Sequence, residues 1–240
     1  MGRTRIYLPS AHILPEIVLR EKSAVHKLKH VLRVRKEEPV FVFDGAGSEY
    51  RYTLREYGKS TVRLDTQERT RLQDNAGFSL GLAIPVLSDD KMSLIFQRAT
   101  ELGAMNFHLF CSERSNRKEP KSHKYARWKK IVIEAARQSE RLWLPEIHPC
   151  AGLCNLPLDE YPYSAVADLR GAPLPAERVR EVGAVCYFVG PEGGFSPEED
   201  RRFLSAKISR VSFSPHTLRT ETAAITAAAL TAWINHPSVR

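Results

Sequence analysis

The sequence predicts an α/β protein in two parts, a small β-rich unit followed by a larger unit of alternating strands and helices. Three observations carry this. Short β-branched and aromatic runs, separated by Gly and Ser turns, crowd residues 1–65. From Phe78 onward, strand-like alternation and helical spacing follow one another, as in a largely parallel sheet flanked by helices. Near the C-terminus, the apolar run 184–189 and the strand candidate 210–213 each end in a loop leading to a helix. The domains are expected at residues 1–70 and 76–240, with the polar, aperiodic stretch 66–75 as linker.

In the first unit, strand candidates lie at residues 6–8, 39–44, 50–54 and 61–64, with turns at Gly45-Ala46-Gly47 and Gly58-Lys59-Ser60. Residues 23–34 have helical spacing. Val25, Leu28, Val31 and Leu32 share one face, and Lys27, Lys29, Arg33 and Arg35 are left to point outward. In the second unit, Leu80, Leu82, Ile84 and Val86 alternate as a strand. Ser88 suits a helix N-cap, with Asp89 and Asp90 at the positive helix end. Met92, Ile95, Phe96, Ala99 and Leu102 form that helix's buried stripe, and Gly103 ends it. A strand at 107–110 precedes a second helix with Trp128, Ile131, Val132, Ala135 and Leu142 inward and Lys129, Lys130 and Arg137 outward. Strands at 165–167, 184–189 and 210–213 complete the sheet, and a long helix starts near Thr220.

Composition narrows the function classes. At 240 residues, 42% hydrophobic and 27% charged, the chain reads as an ordinary soluble protein with a sizeable core. Its four cysteines fit no short disulfide framework and suggest a reducing compartment. Cys150 and Cys154 have no second ligand cluster at zinc-site spacing, so no metal is expected. The N-terminus lacks a signal-peptide core, and the longest apolar stretch, 223–234, is too short to span a bilayer. The expected location is cytoplasmic. The net charge of +8 favours a polyanionic partner, and its distribution is uneven. Residues 1–75 are net +5 and 113–141 net +6, whereas the last 99 are net −2. Two basic surfaces set apart from the glycine loops suit RNA phosphates.

The candidate site is Val189-Gly190-Pro191-Glu192-Gly193-Gly194-Phe195-Ser196, read together with Leu218-Arg219-Thr220-Glu221-Thr222-Ala223. Three glycines within five residues allow a tight turn with uncovered backbone amides, and at Gly190 and Gly194 a Cβ would block close approach. Ser196, Pro197 and Glu199 then form a capping box that opens a helix. The spacing matches neither the dinucleotide fingerprint nor the phosphate loop, and no lysine follows to meet a phosphate. Loops leaving strand ends before helices are where α/β sheets hold ligands.

VGPEGGFSPEE followed by LRTETAA resembles the paired C-terminal motifs of the RsmE family of SPOUT methyltransferases. KMSLIFQRATELGAMNFHLFCSERS and RWKKIVIEAARQSERLWLPEI resemble two further family blocks, and HVLRVR with FDGAG resembles its N-terminal PUA-like RNA-binding β-barrel. One departure is Phe213-Ser214-Pro215-His216-Thr217, where the family usually has L-G-x-R/K-I. The resemblance implies a SPOUT domain with a deep trefoil knot and a homodimer. It also implies methylation of N3 of a uridine in small-subunit ribosomal RNA, with S-adenosylmethionine as cofactor and no membrane or metal partner. It places the cofactor at Ala167, Asp168, Val189, Gly190, Gly194, Ser212, Phe213, Ser214, Thr217, Leu218 and Thr220. Arg219 and Glu221 are the implied catalytic pair. From the charge distribution, Lys27, Lys29, Arg33 and Arg35 are the expected RNA contacts of the first unit, and Arg114, Arg137 and Arg141 are expected as RNA or interface contacts. Two alternatives stay open. One is a SPOUT enzyme acting on ribose 2′-oxygen or another base, and the other is a ribosome-associated RNA-binding protein without catalysis.

Overall fold

The computed structural model describes residues 3–73, 78–114, 119–156 and 160–236. It divides into two compact units, residues 1–76 with 136–144, and residues 77–135 with 145–240.

Among the described residues of the first unit, five strands form one sheet. They are β1 (Arg5–Tyr7), β2 (Glu16–Leu19), β3 (Pro39–Phe43), β4 (Ser48–Tyr57) and β5 (Val62–Leu72), in the order β1-β3-β4-β5-β2. Only the β1–β3 pair is parallel. The expected linker is therefore corrected: residues 66–72 continue β5, paired to β4, because a polar strand is stable where a neighbour satisfies its backbone. Asp74 and Asn75 lie outside the described residues. β2 escapes periodicity because it has only four residues. The predicted helix also differs. α1 (Lys22–His26) passes into a wider turn, Lys27–Val31, in which Leu32 N–H reaches the Lys27 carbonyl at 2.8 Å. That widening turns Val31 out to 62% exposure, while Leu28 stays buried. Arg33 ends the turn at φ 52°.

Residues 136–144 join this unit through Arg5. Its guanidinium is buried, with Nε 3.3 Å from Glu49 Oε1, and it donates to the carbonyls of Ala136, Arg137 and Arg141 at 3.0–3.3 Å. It also lies 4.5 Å from the Phe43 ring centroid. Burial lowers the Arg5 pKa, and Glu49 opposes that shift. Removing one partner of so buried a pair costs about 3–5 kcal/mol, because the other charge is stranded.

Among the described residues of the second unit, six strands form a wholly parallel sheet. In chain order they are β6 (Ser79–Pro85), β7 (Ala104–Phe110), β8 (Glu146–Ala151), β9 (Tyr163–Pro173), β10 (Ala184–Phe188) and β11 (Ser209–Ser212). Their order across the sheet is β11-β9-β10-β6-β7-β8. Pro149 hid β8 from the sequence reading. As an edge strand it tolerates the missing N–H. The helices are α2 (Asp89–Glu101), α3 (Ser122–Gln138, whose last turn falls in the first unit), α4 (Ala176–Glu181), α5 (Pro197–Ser205) and α6 (Thr220–Ile234). This is an α/β fold with a parallel sheet flanked by helices. The α2 stripe of Met92, Ile95, Phe96 and Ala99 is buried as expected, and Gly103 follows at φ 101°. Ser88 holds the N-cap position, but its hydroxyl makes no cap. Leu142 is buried beyond the end of α3. The described residues contain no helix long and apolar enough to cross a membrane.

On β7 and β8, the His108 and His148 rings stack at 4.4 Å, and His108 Nε2 lies 2.9 Å from the Tyr161 hydroxyl. Burial first, and His148 second, lower the His108 pKa to about 4, so the ring is neutral at pH 7. An unfolded His, near 6.5, then binds more protons than the folded one between pH 6.5 and about 4. Stability is therefore expected to rise with pH across that window. Urea denaturation at pH 4.5 and 7 should show a steeper loss for the parent protein than for His108→Gln, and equal pH slopes would refute this.

Candidate active site

The carboxyl ends of β9, β10 and β11, adjacent in the sheet, open on one cavity of about 770 Å³. β10 ends at Phe188, and Val189 N–H still bonds the Ala83 carbonyl at 2.9 Å before the chain turns into the glycine loop. Gly194 closes that turn with its N–H on the Pro191 carbonyl at 2.9 Å and φ 70°. A Cβ at Gly194 would meet nothing within 4 Å, so the need for glycine there is conformational, which corrects the steric expectation. At Gly190 a Cβ would lie 3.1 Å from the Phe195 ring. Phe195 is anchored edge-on to Phe203 at 4.8 Å.

The capping box is present. Ser196 Oγ accepts from Glu199 N–H at 3.1 Å, and Glu199 Oε2 accepts from Ser196 N–H at 2.7 Å. Glu199 does more than cap, because its buried carboxylate also accepts from Ser112 Oγ and Glu113 N–H, each at 3.1 Å. That fixes the chain leading to Arg114, whose Nη1 donates to the Gly193 carbonyl at 3.3 Å. Across the cavity, Arg210 bridges Asp168 at 2.6 Å and Asp200 at 2.9 Å. The Arg170 backbone N–H, with Arg210, holds the Asp168 carboxyl below its usual pKa. Thr220 Oγ1 donates to the Gly190 carbonyl at 2.8 Å, fastening the glycine loop to the first residue of α6.

The described residues hold no cluster of three or more His, Cys, Asp or Glu able to take a metal ion. Comparison with known proteins gives the family. A model of the RNA methyltransferase domain matches residues 74–232. The ribosomal RNA small subunit methyltransferase E of Aquifex aeolicus is 32% identical, over 87% of this chain and 90% of that one. The chain belongs to the ribosomal RNA small subunit methyltransferase E family. The Synechocystis member is 30% identical, over 91% of this chain and 74% of its own. A family member from Neisseria gonorrhoeae, solved bound to S-adenosyl methionine, is 28% identical with a TM-score of 0.81 over 95% of this chain and 96% of that one. A Legionella pneumophila protein solved with bound SAM reaches a TM-score of 0.85 at 25% identity, over 96% of this chain and 97% of that one.

Ala167, Asp168, Val189, Gly190, Gly194, Ser212, Phe213, Ser214, Thr217, Leu218 and Thr220, the residues that the E family resemblance singled out, all line this cavity. Where the family pattern has its glycine, serines shape the turn. Ser212 Oγ donates to the Ser214 carbonyl at 2.8 Å, and Ser214 Oγ accepts from His216 N–H at 3.1 Å. No described residue from 212 to 218 has positive φ, so glycine is not required there. Arg219 is exposed at the N-cap of α6, lines the cavity, and its side chain has no partner among the described residues.

Glu221 differs from the expectation. It is buried and does not line the cavity, and its carboxylate faces Lys91 of α2 at 3.4 Å. Lys91 also pairs with Glu192 of the glycine loop. Sequence reasoning missed Lys91 because it precedes an apolar helical stripe and reads as a solvated first-turn cation.

The expected RNA contacts fall apart in kind. Lys29, Arg33 and Arg35 are exposed and Lys27 half-buried, but Arg33 and Arg35 follow the helical turn rather than share its face. Arg114 lines the cavity instead of a separate basic surface. Arg141 is half-buried, and desolvation lowers its pKa to about 10; Arg137 is also half-buried.

Ser196→Ala is expected to cost about 1 kcal/mol as the loss of one cap. Glu199→Ala should cost more, because Ser196 N–H, Ser112 Oγ and Glu113 N–H all lose their acceptor. Urea denaturation, with hydrogen exchange at the Glu113 amide, checks this. Protection at Glu113 should fall only in the Glu199 variant.

Proposed function

We propose that the protein transfers a methyl group from S-adenosylmethionine to N3 of a uridine in small-subunit ribosomal RNA. The observation that carries this reading is the convergence of the eleven expected cofactor residues, from three strand ends, on one cavity in a chain of this family. The lining suits the cofactor. Glycine-loop backbone can approach it closely, and Val189, Leu218 and Ala223 offer apolar surface. When bound, S-adenosylmethionine supplies an electrophilic methyl group.

The protein's own task is placement and charge control. The acceptor N3 carries an imide proton that must leave before or during attack, and negative charge spreads to the adjacent oxygens. Arg219, exposed beside the positive end of α6, is the residue we assign to hold that charge. Arg114, fixed by Glu199 and touching the loop at Gly193, holds the acceptor strand at the cavity. The β-rich first unit acts as a PUA-like barrel that grips RNA through Lys27, Lys29, Arg33 and Arg35. The second unit has the knotted SPOUT topology, and the protein works as a homodimer in the cytoplasm.

Gly194→Val should weaken cofactor binding measured by calorimetry by at least tenfold while the fold is retained. A branched side chain at φ 70° costs about 1–3 kcal/mol and drives the loop to another shape. Unchanged affinity would remove the cofactor from this loop. Arg219→Ala should slow single-turnover methyl transfer about a hundredfold or more, with RNA affinity nearly unchanged. Neutralising Lys29, Arg33 and Arg35 should do the reverse, weakening RNA binding and flattening its salt dependence. The opposite pattern would overturn the division of labour between the units.

A further inference from the structure

Lys91 lies outside the cavity lining, yet its ammonium meets carboxylates from both segments that frame the cavity. One is Glu192, in the glycine loop, and the other is Glu221, in the first turn of α6. The two acids stand in different surroundings. The Glu192 side chain is 67% exposed on a loop rich in glycine. The Glu221 side chain is only 11% exposed, and its Oε2 has no hydrogen-bond partner although the Lys91 Nζ stands 3.4 Å away. A buried carboxylate oxygen without a hydrogen bond is costly unless a charge compensates it, and Lys91 supplies that charge.

We propose that Lys91 is a positioning residue that clamps the glycine loop to the start of α6, and that Glu221 serves in this clamp rather than as the proton acceptor for the RNA base. The proposal rests on the methyl-transfer reading of the cavity. Three features support it. Lys91 sits on α2, which packs against α6, so the root of the clamp is fixed to the helix whose N-terminus it holds. The Thr220 hydroxyl already ties the loop to the same turn at Gly190, two residues before Glu192. Lys91 and Thr220 thus fasten the loop from two sides of one helix start. Finally, a general base must reach to about 3 Å from the proton it takes, or act through one water. Glu221 does not line the cavity, and turning toward it would abandon its ion pair with Lys91. Both partners raise the Lys91 pKa, the Glu192 hydrogen bond most, so its ammonium is held charged.

A clamp and a base make different predictions. A clamp preorganises loop amides before the cofactor arrives, so its loss appears in cofactor affinity. A base acts only while the proton moves, so its loss appears in the rate at saturating cofactor and in its pH profile. The experiment compares Lys91→Met, Glu221→Gln, the double variant and Lys91→Arg. S-adenosylmethionine affinity is read by calorimetry, and single-turnover transfer to ribosomal RNA is followed at saturating cofactor from pH 6 to 9. Each single loss should weaken cofactor binding about tenfold, and the double variant should be no weaker than the worse single, as expected for directly coupled groups. The saturated rate should stay within about threefold of the parent with the same pH profile, and Lys91→Arg should recover most of the affinity.

Glu221→Gln that binds cofactor normally but fails to transfer, or transfers with an altered pH profile, would make Glu221 the base and overturn the proposal. Additive losses of affinity, or a Lys91→Met variant with parental affinity, would equally overturn the clamp. Circular dichroism of each variant identifies any affinity loss that is really unfolding. In that case Lys91→Arg decides: recovery of affinity supports the clamp, and none refutes it. Failure of the underlying reading looks different, because the parent protein itself would then bind no S-adenosylmethionine.

Discussion

The junction between the glycine loop and the first turn of α6 is the constraint on which the cavity depends. A loop with three glycines in five residues has little conformational preference of its own, so its shape must be imposed from outside. Thr220 Oγ1 holds it at the Gly190 carbonyl, Lys91 holds Glu192, and the Phe195 ring sinks toward Phe203. At the far end the Ser196–Glu199 capping box makes the loop's exit the rigid start of α5. The fasteners come from α2, α5 and α6 of one unit, so the loop is only as ordered as the packing around it.

The same economy appears at Glu199. A single carboxylate caps α5 and fixes Ser112 and Glu113, and so the approach to Arg114. One buried acid therefore couples the shape of the glycine loop to the position of an arginine at the cavity. In the first unit, Arg5 plays a comparable part, gathering Glu49 and three carbonyls of residues 136–141. Both are buried charges surrounded by specific partners, which fix geometry more than they add stability.

Much of this was legible in the sequence where local pattern and tertiary outcome agree. The β6 strand, the α2 stripe and the Ser196-Pro197-Glu199 cap each follow from neighbours within one turn or strand. The cavity residues were legible through family motifs, since glycines alone name no ligand. What was not legible depends on partners distant in sequence. Residues 66–72 look like a linker until β4 supplies their hydrogen bonds, and Pro149 looks like a strand breaker until β8 proves to be an edge. Residues 136–144 could not be placed in the first unit without Arg5, more than 130 positions earlier. Glu221 read as a catalytic neighbour of Arg219, but it lies two positions further on, past the N-cap, so Arg219 faces the cavity and Glu221 faces Lys91.

The most direct test is a crystal structure of the protein with S-adenosylhomocysteine, the product left after methyl transfer. The account predicts the ligand in the cavity at the ends of β9, β10 and β11, with glycine-loop backbone and residues 212–218 against it and the departing-methyl position facing Arg219. Ligand bound elsewhere, or an empty cavity in crystals of protein that calorimetry shows to be saturated, would contradict it.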